Sequence, residues 1–183
     1  MEGERLASGV AHADNVAPSL LGGFTLIRSY NPLDVVQLAY PEQLFVAVVH
    51  PQIEIKTSDA KRILRKQITL KDAITQWGNI AGLVSGLASS DYDLISRSLH
   101  DVIAEPIRGL LIPLFGEVKQ LAMDEGALGC SISGSGPSIF SLFKNLDQAQ
   151  IAAEKISALY EANEVEAYSH VSSINAKGAQ VLS

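Results

Sequence analysis

A histidine, an aspartate and an asparagine lie within four positions near the start of the chain, in the segment SGVAHADNVAP (residues 8–18). The small neighbouring residues allow a ligand to approach the backbone closely. His12, Asp14 and Asn15 can donate hydrogen bonds to a polar substrate and accept them from it. The alternative is a solvated loop or helix start, in which Asp14 or Asn15 caps the helix.

A second candidate segment, GCSISGSGPS, covers residues 129–138. Glycines at positive φ expose successive backbone N–H groups, and such a concavity binds anions. The hydroxyls of Ser131, Ser133 and Ser135 add further donors. The segment lacks the Lys-Ser/Thr ending of a Walker loop and the spacing of a dinucleotide-binding fingerprint. A tight turn between two strands is the alternative, and the residues alone leave both interpretations open.

The third candidate segment, DVIAEPIR, covers residues 101–108. Glu105 and Arg108 are three positions apart, so they could form an ordinary ion pair on a helix surface. Alternatively, the planar guanidinium of Arg108 binds a carboxylate or a phosphate through two hydrogen bonds.

Strands that could position these segments follow from runs of apolar and β-branched residues. We predict a strand at residues 24–28, and Asn31-Pro32 should end it. We predict a second strand at residues 44–50, because its continuous apolar run is typical of a buried central strand. Residues 129–143 predict strand, glycine turn and strand, and residues 165–173 predict a last strand.

Helices are predicted between these strands. Thr57 or Ser58 is a candidate N-cap of one helix, and Asp91 caps a short helix that runs to Leu99. The other helices are predicted at residues 70–87, at 115–125 with Gly126 as a stop, and at 146–163. The spacing of apolar residues predicts one buried stripe on the helix at 70–87: Ile74, Trp77, Ile80, Ala81, Val84 and Leu87. The inward side of the helix at 146–163 is predicted to hold Ile151, Ala152, Ile156 and Leu159.

Helices that alternate with strands predict an α+β fold, a two-layer sandwich with a mainly antiparallel sheet and helices on one face. The 183 residues suffice for a domain with a proper core, and 47% hydrophobic with 19% charged residues is a globular composition.

Charge and cysteine content exclude several classes of function. The formal net charge is −6, and the longest basic cluster is Lys61, Arg62, Arg65 and Lys66, so we expect neither nucleic acid nor an anionic membrane as partner. The single Cys130 is expected to pack as a small apolar side chain. The four histidines show no zinc spacing. No apolar run reaches the length of a membrane span and no signal region is visible, so we expect a cytoplasmic protein.

Taken together, SGVAHADNVAPSLLGG, KTSDAKRIL, DVIAEPIR and GCSISGSGPSIF, in that order, resemble the homoserine kinases of the GHMP kinase superfamily. The resemblance runs from about residue 3 to residue 182. HADNVAP and the later EP-x-R are specific to homoserine kinases, whereas the glycine segment matches the less specific third motif of the superfamily.

The resemblance implies a phosphoryl transfer from ATP to the hydroxyl of L-homoserine, which gives O-phospho-L-homoserine in threonine biosynthesis. It implies a two-domain α+β fold with the active site in the cleft, in which this chain supplies the ferredoxin-like C-terminal domain. Homoserine would contact His12, Asn15, Thr57 and Arg108. Arg108 would bind the α-carboxylate of homoserine, and Asn15 would orient its hydroxyl. Asn15 and Arg108 are therefore the two residues to which the resemblance assigns a catalytic role.

Two further roles come from the same resemblance. Gly134, Ser135 and Gly136 would lie beside the phosphates of the nucleotide. Lys61 lies at the position where many relatives carry a second substrate-binding arginine. A lysine has the same positive charge as an arginine, but it cannot bind a carboxylate through two parallel hydrogen bonds. Either Lys61 suffices as a point charge or the neighbouring Arg62 turns in.

The sequence contains no P-x-G-x-G-L-G-S-S-A phosphate loop. We therefore expect residues 1–23 to be a lead-in segment that remains from the N-terminal domain, and residues 24–183 to be the C-terminal domain. ATP and Mg²⁺ would serve the full-length enzyme and bind poorly to this chain alone, which we expect to be inactive. An exposed apolar face is expected where the other domain would pack, and a homodimer is the expected assembly.

Two alternatives remain at this point. Another GHMP kinase would act on a sugar or a mevalonate-type substrate, and a substrate screen would separate it from a homoserine kinase. A non-catalytic amino-acid-binding module would bind homoserine or threonine without releasing ADP.

Overall fold

The computed structural model describes Leu6, residues 12–55 and residues 62–181 of the chain. The helix start predicted at Thr57 or Ser58 lies outside the described residues. The described helices are α1 (Val16–Leu21), α2 (Leu70–Ser89), α3 (Tyr92–Ser98), α4 (Glu105–Arg108), α5 (Phe115–Asp124) and α6 (Leu146–Ala162), and a 3-10 turn spans Gly109–Leu111. The described strands are β1 (Phe24–Tyr30), β2 (Leu33–Leu38), β3 (Phe45–Pro51), β4 (Gly129–Ile132), β5 (Ile139–Phe143) and β6 (Ala167–Ser173).

The main sheet has four antiparallel strands in the order β4-β5-β3-β6. Strand β3 pairs on both edges, so Val46 lies opposite Leu142 of β5 and Ser172 of β6. The prediction of a buried central strand at residues 44–50 is therefore confirmed. The predicted strands at 24–28, 129–143 and 165–173 are also confirmed. Strand β2 was not predicted, and it pairs with β1 in a separate two-stranded sheet.

One face of the main sheet carries the larger core. Alternate residues of β3 and β5, such as Ala47, Val49 and Phe143, point to this face because successive strand side chains point in opposite directions. They pack against α5 and α6, whose Val118 and Ile156 are almost fully buried. The predicted α+β class, with its antiparallel sheet and its layer of helices, is confirmed.

The other face of the sheet carries a second, smaller core. Leu142 of β5 packs there with Leu87 of α2 and Ile95 of α3. The β1–β2 hairpin adds Phe24 and Leu38, which lie against the same cluster. The β1–β2 hairpin is therefore attached to the face opposite the larger core.

The predicted buried stripe on α2 is wrong over most of its length. Ile74, Trp77 and Ile80 are 57%, 62% and 47% exposed, whereas Leu87 is buried as predicted. The side of the helix that packs carries glycines instead. A Cβ added to Gly82 would lie 2.4 Å from Ser98 Oγ, and Gly86 approaches the backbone of Ile95 in the same way. The two glycines allow the backbones of α2 and α3 to approach closely, so this side of α2 is the one that packs. The number and spacing of apolar residues along a helix do not reveal such a contact.

The other helix predictions are largely confirmed. The side chain of Asp91 accepts a hydrogen bond from Leu94 N at the start of α3, and Gly126 follows α5 with a φ of 90°. On α6, Ala152 and Ile156 are buried as predicted, but Ile151 is 44% exposed. The buried side of α6 also includes residues that were not predicted to be buried, namely Ala149, Ala153 and Tyr160.

The lone cysteine behaves as predicted. Cys130 is a free thiol with no exposed surface in the larger core. Burial raises the pKa of this thiol to about 11. Because the thiolate is the reactive form, Cys130 is a packing residue and not a nucleophile at neutral pH.

Tyr160 supplies the largest fully buried side chain of the core, and its hydroxyl donates to Pro113 O at 3.0 Å. Replacing Tyr160 with Phe leaves that carbonyl without its donor, so the free energy of unfolding should fall by about 1–2 kcal/mol at neutral pH.

Burial also raises the pKa of Tyr160 to about 12. A raised pKa in the folded state means that stability is lost as the pH rises from about 10 to about 12, and Tyr160→Phe should lose less stability over that range.

Urea unfolding at neutral and alkaline pH measures both effects. Tyr168→Phe is the control, because its hydroxyl bonds to Glu166 Oε1 on the exposed surface and its loss should change stability by less than about 0.5 kcal/mol. An equal fall in the free energy of unfolding for Tyr160→Phe and Tyr168→Phe would contradict a stabilising role for the buried hydrogen bond from Tyr160 to Pro113.

Candidate functional site

The glycine segment forms a closed turn between β4 and β5. Ser133 N donates to Ser138 O at 2.8 Å across its base, and Gly136 N donates to Ser133 O at 3.0 Å. Gly134 and Gly136 have φ values of 61° and 78°, a region that only glycine adopts readily. The predicted strand, glycine turn and strand is therefore confirmed in geometry.

Two amides at the tip of this turn take no part in the turn's own hydrogen bonds. Among the described residues, none accepts a hydrogen bond from the backbone N–H of Gly134 or Ser135. A Cβ added at Gly134 would meet nothing within 4 Å, so the space beside this backbone is open. Two neighbouring backbone N–H groups that have no acceptor among the described residues are suited to an anion.

The base of the turn is attached to the central strand. His50 Nδ1 lies 2.8 Å from Ser138 Oγ, in a partly buried contact between the end of β3 and the residue before β5. Ser138 O is also the acceptor that closes the turn. No local pattern predicts the contact between His50 and Ser138, since the two residues are 88 positions apart.

Arg108 brings the third candidate segment to the second. Its Nη1 donates to Gly134 O at 3.0 Å, so the guanidinium lies beside the tip of the glycine turn. The sequence left open whether Arg108 pairs with Glu105 on a helix surface or binds a ligand. The hydrogen bond to Gly134 places it at the candidate phosphate site.

Glu105 has other partners, and it is 7% exposed. Its Oε1 forms a salt bridge with Lys119 Nζ on α5, and its Oε2 accepts a hydrogen bond from Ser131 Oγ on β4 at 2.7 Å. A buried carboxylate needs such partners, because removing it from water is costly. These two bonds attach α4, and Arg108 at its end, to the sheet and to α5. Sequence analysis missed Lys119, whose partner is 14 positions away.

The start of α4 is held by Asp101. Its Oδ1 accepts from the backbone N–H of Ile103 and Ala104 at 2.7 and 2.9 Å, and its Oδ2 accepts from Glu105 N at 3.2 Å. A carboxylate at this position compensates the open N–H groups of a helix start. The DVIAEPIR segment is therefore a pre-formed support for Arg108.

A double-mutant cycle tests the Glu105–Lys119 pair. Lys119→Met should lower the free energy of unfolding by about 3 kcal/mol, because it leaves a buried carboxylate without its cation. Glu105→Gln should cost less, since the Lys119 side chain is one-quarter exposed and can reach water. The double variant should be more stable than the sum of the two losses by about 1 kcal/mol or more. Denaturant unfolding measures all three.

Lys155→Met is the matched control, because Lys155 pairs with Glu125 while remaining 54% exposed. Its loss should stay below about 0.5 kcal/mol. Strict additivity of the Glu105 and Lys119 substitutions would show that the pair contributes nothing to the position of α4.

The first candidate segment lies at the start of α1. Asn15 occupies the N-cap position, as in the alternative interpretation of a helix start, but its side chain makes no capping hydrogen bond. Asn15 is exposed, His12 is partly buried and Ala13 is 2% exposed. Ala13 is therefore shielded from solvent, whereas Asn15 is exposed to it.

The C-terminal tail holds α1 in place. Ala179 N donates to Ser19 O at 2.9 Å, and Gly23 N donates to Asn175 O at 2.7 Å. The two backbones also touch, because a Cβ on Gly178 would lie 1.8 Å from the backbone oxygen of Leu20. The position of His12 and Asn15 therefore depends on residues more than 150 positions away.

Gly178→Ala should detach this tail, because the added methyl group has no space beside α1. We expect the amides of Gly23 and Ala179 to lose their protection from hydrogen exchange, while the amides of β3 and β5 keep theirs. Gly116→Ala is the control, because its Cβ would meet nothing within 4 Å and alanine favours a helix. Unchanged protection in Gly178→Ala would contradict the role of the tail.

Other site residues cannot be placed. Thr57 and Lys61 lie outside the described residues, so their proposed contacts stay predictions. Over residues 12–55 and 62–181, no three His, Cys, Asp or Glu side chains converge as a metal site would require. None of the described helices is long and apolar enough to cross a membrane.

Comparison with known proteins assigns this fold to a class. Residues 83–162 match the family model described as the C-terminal part of GHMP kinases. The chain therefore belongs to the GHMP kinase superfamily and carries its C-terminal domain.

Within that superfamily the chain corresponds to part of a homoserine kinase, as the motifs predicted. A homoserine kinase of Chlorobium phaeovibrioides is 52% identical over 184 residues, which cover 100% of this chain and 58% of the relative. The crystal structure of homoserine kinase from Cytophaga hutchinsonii matches with a TM-score of 0.96 and 52% identity, again over 100% of this chain and 58% of that one. The chain thus spans 58% of the length of these relatives.

A more distant structure shares the fold alone. The crystal structure of L. major mevalonate kinase with R-mevalonate matches with a TM-score of 0.55 and 16% identity, over 80% of this chain and 47% of that one. The fold by itself therefore does not discriminate between homoserine and other substrates of the superfamily.

Proposed function

We propose that this chain is the substrate-binding part of a homoserine kinase, a protein that transfers the γ-phosphoryl group of ATP to the hydroxyl of L-homoserine. The product is O-phospho-L-homoserine, an intermediate of threonine biosynthesis. The observation that carries the proposal is the 52% identity with a homoserine kinase along the whole chain. The contact between Arg108 and the glycine turn supports it, because it combines a cation and an anion-binding backbone in one place.

Arg108 is proposed to bind the α-carboxylate of homoserine. A guanidinium carries five N–H donors, so one group can hold the glycine turn and bind a carboxylate at the same time. The short helix α4 is attached through Glu105 and Asp101, so little entropy is lost when the side chain receives its ligand. This support favours Arg108 as a positioning group for the substrate.

Asn15 and His12 are proposed to contact the polar end of the substrate. The side chain of Asn15 makes no hydrogen bond to any described residue, and it is exposed at the start of α1. An amide can orient a hydroxyl without removing its proton, and a loose phosphoryl-transfer transition state needs no strong base. His12 is assigned a substrate contact in preference to a role as a general base. Thr57 and Lys61 complete the proposed set.

The glycine turn is proposed to lie beside the phosphates of ATP. The N–H groups of Gly134 and Ser135 suit that role, and Gly136 keeps the turn narrow, because a Cβ there would lie 3.1 Å from Ile112 Cδ1. When bound, Mg²⁺ would neutralise charge on the transferred phosphate. The described residues offer no cluster for it, so the proposal places no metal ligand on them.

The division into a lead-in segment at residues 1–23 and a C-terminal domain at 24–183 is part of the same proposal. The chain alone is proposed to lack kinase activity, because its sequence contains no P-x-G-x-G-L-G-S-S-A phosphate loop and the described residues offer no metal cluster. We also place the protein in the cytoplasm. Neither nucleic acid nor a membrane is a proposed partner.

Calorimetric titration of L-homoserine into the chain tests the substrate role. Arg108→Ala should weaken binding about 10- to 100-fold, because a charged hydrogen-bonded contact is worth about 1.5–3 kcal/mol. Arg108→Lys should recover only part of it, since lysine lacks the fork. In a second run with Mg-ATP, no ADP should be released.

Arg97→Ala is the matched control, because Arg97 is an exposed arginine on α3 whose loss changes the net charge equally. It should bind homoserine like the unaltered chain. Titration with mevalonate should give no saturable heat. Equal affinity in the Arg108 and Arg97 variants would contradict the proposed carboxylate clamp, and preference for mevalonate would favour the other kinase class.

A further inference from the structure

Two amide side chains of α2 bind the loop that leads to Arg108. Gln76 Oε1 accepts a hydrogen bond from Val102 N at 3.0 Å, and Asn79 Nδ2 donates one to His100 O at 2.8 Å. Gln76 and Asn79 are three positions apart, so they are neighbours on one side of the helix. Neither contact has a local sequence pattern, because the partners are 26 and 21 positions away.

The hydrogen bond from Val102 N to Gln76 completes a series of side-chain acceptors at the start of α4. Asp101 accepts the backbone N–H groups of the next three residues. Every backbone N–H from Val102 to Glu105 therefore donates to a side chain. Asp101 belongs to the loop itself, whereas Gln76 belongs to α2. Gln76 is thus the acceptor in this series that attaches the loop to another element.

The two amides span a groove of about 210 Å³ between α2, the loop and the main sheet. Its lining includes both amides together with Ser131 and Phe140. Close packing fixes the distance between two elements only where side chains fill the space between them. Along this groove they do not, so the hydrogen bonds of Gln76 and Asn79 determine how far the loop lies from this part of the helix.

Arg108 lies at the other end of the segment that these amides hold. Helix α4 has only four residues, so its own hydrogen bonds cannot fix its position. Glu105 restrains it from the side of the sheet and α5, and Gln76 restrains the residues before it from the side of α2. A shift of Val102 would therefore move the guanidinium that donates to Gly134 O.

We infer that Gln76 and Asn79 are positioning residues, which place Arg108 for its contact with Gly134 and for its ligand. Their roles have opposite polarity. Gln76 must accept, because Val102 N can only donate, and Asn79 must donate, because His100 O can only accept. The effect on homoserine rests on the proposed function, whereas the effect on the contact between Arg108 and Gly134 does not.

This opposite polarity allows a test with two substitutions of nearly equal shape that add the same charge to α2. Gln76→Glu retains an acceptor for Val102 N, so it should bind homoserine like the unaltered chain. Asn79→Asp removes the donor to His100 O, and its homoserine affinity should fall about 3- to 10-fold, because an arginine that is no longer held must be ordered by the ligand. Gln76→Met removes the acceptor and should lose as much. Calorimetric titration measures all three.

The ¹H–¹⁵N spectrum of the chain without ligand reports the position of Arg108 independently of homoserine. Ser135 N belongs to the same peptide group as Gly134 O, so its amide signal responds to the hydrogen bond from Arg108. The Ser135 amide signal and the Arg108 Nε–H signal should both shift in Asn79→Asp and in Gln76→Met. Both should keep their positions in Gln76→Glu.

Gln120→Met is the matched control, because it makes the same substitution on α5, where Gln120 donates to Asp124 of its own helix. It should leave both signals and the homoserine affinity unchanged. If Gln76→Met and Asn79→Asp lower the free energy of unfolding but leave the Arg108 and Ser135 signals in place, the amides only stabilise the fold and the inference is wrong.

Equal effects of Gln76→Glu and Asn79→Asp would also overturn the inference, since the added charge would then explain both. If the unaltered chain binds no homoserine, the substrate proposal fails by itself. In that case the Arg108 and Ser135 signals still decide whether the two amides position the guanidinium.

Discussion

The placement of β3 between two antiparallel neighbours is the constraint on which the rest of the structure depends. Its pairing with β5 fixes the strand that leaves the glycine turn, and its pairing with β6 fixes the start of the C-terminal tail. At its end, His50 lies against Ser138 at the base of the turn. The tail then crosses α1 and holds the segment with His12 and Asn15. One central strand thus positions both ends of the candidate site.

The Arg108 side chain depends on a second set of bonds that starts from a buried acid. Glu105 is attached to Lys119 on α5 and to Ser131 on β4, so the short helix α4 is held to the sheet that carries the glycine turn. Asp101 closes its first turn. Because α4 has only four residues, its own hydrogen bonds could not fix Arg108. The cost of burying the Glu105 charge is offset by partners that also determine where Arg108 lies.

The sequence predicted every described strand except β2, most of the helices and the motif segments, because these depend on local pattern and on turn residues such as Gly126 and Gly134. It could not predict contacts made by backbone proximity. The apolar stripe with Trp77 seemed the buried side of α2, yet Gly82 and Gly86 allow closer packing on another side. In the same way, the pairing of His50 with Ser138 spans 88 positions and leaves no local signal. For Thr57 and Lys61 the site remains a prediction from the motif.

A single titration with O-phospho-L-homoserine tests the central claim most directly, since this molecule carries both a carboxylate and a phosphate. Its effect can be observed in the ¹H–¹⁵N spectrum of the chain. The proposal predicts that the Arg108 guanidinium signals and the Gly134 and Ser135 amide signals shift together, with one dissociation constant. Shifts confined to other residues, or separate constants for Arg108 and for the glycine turn, would contradict a joint substrate and phosphate site.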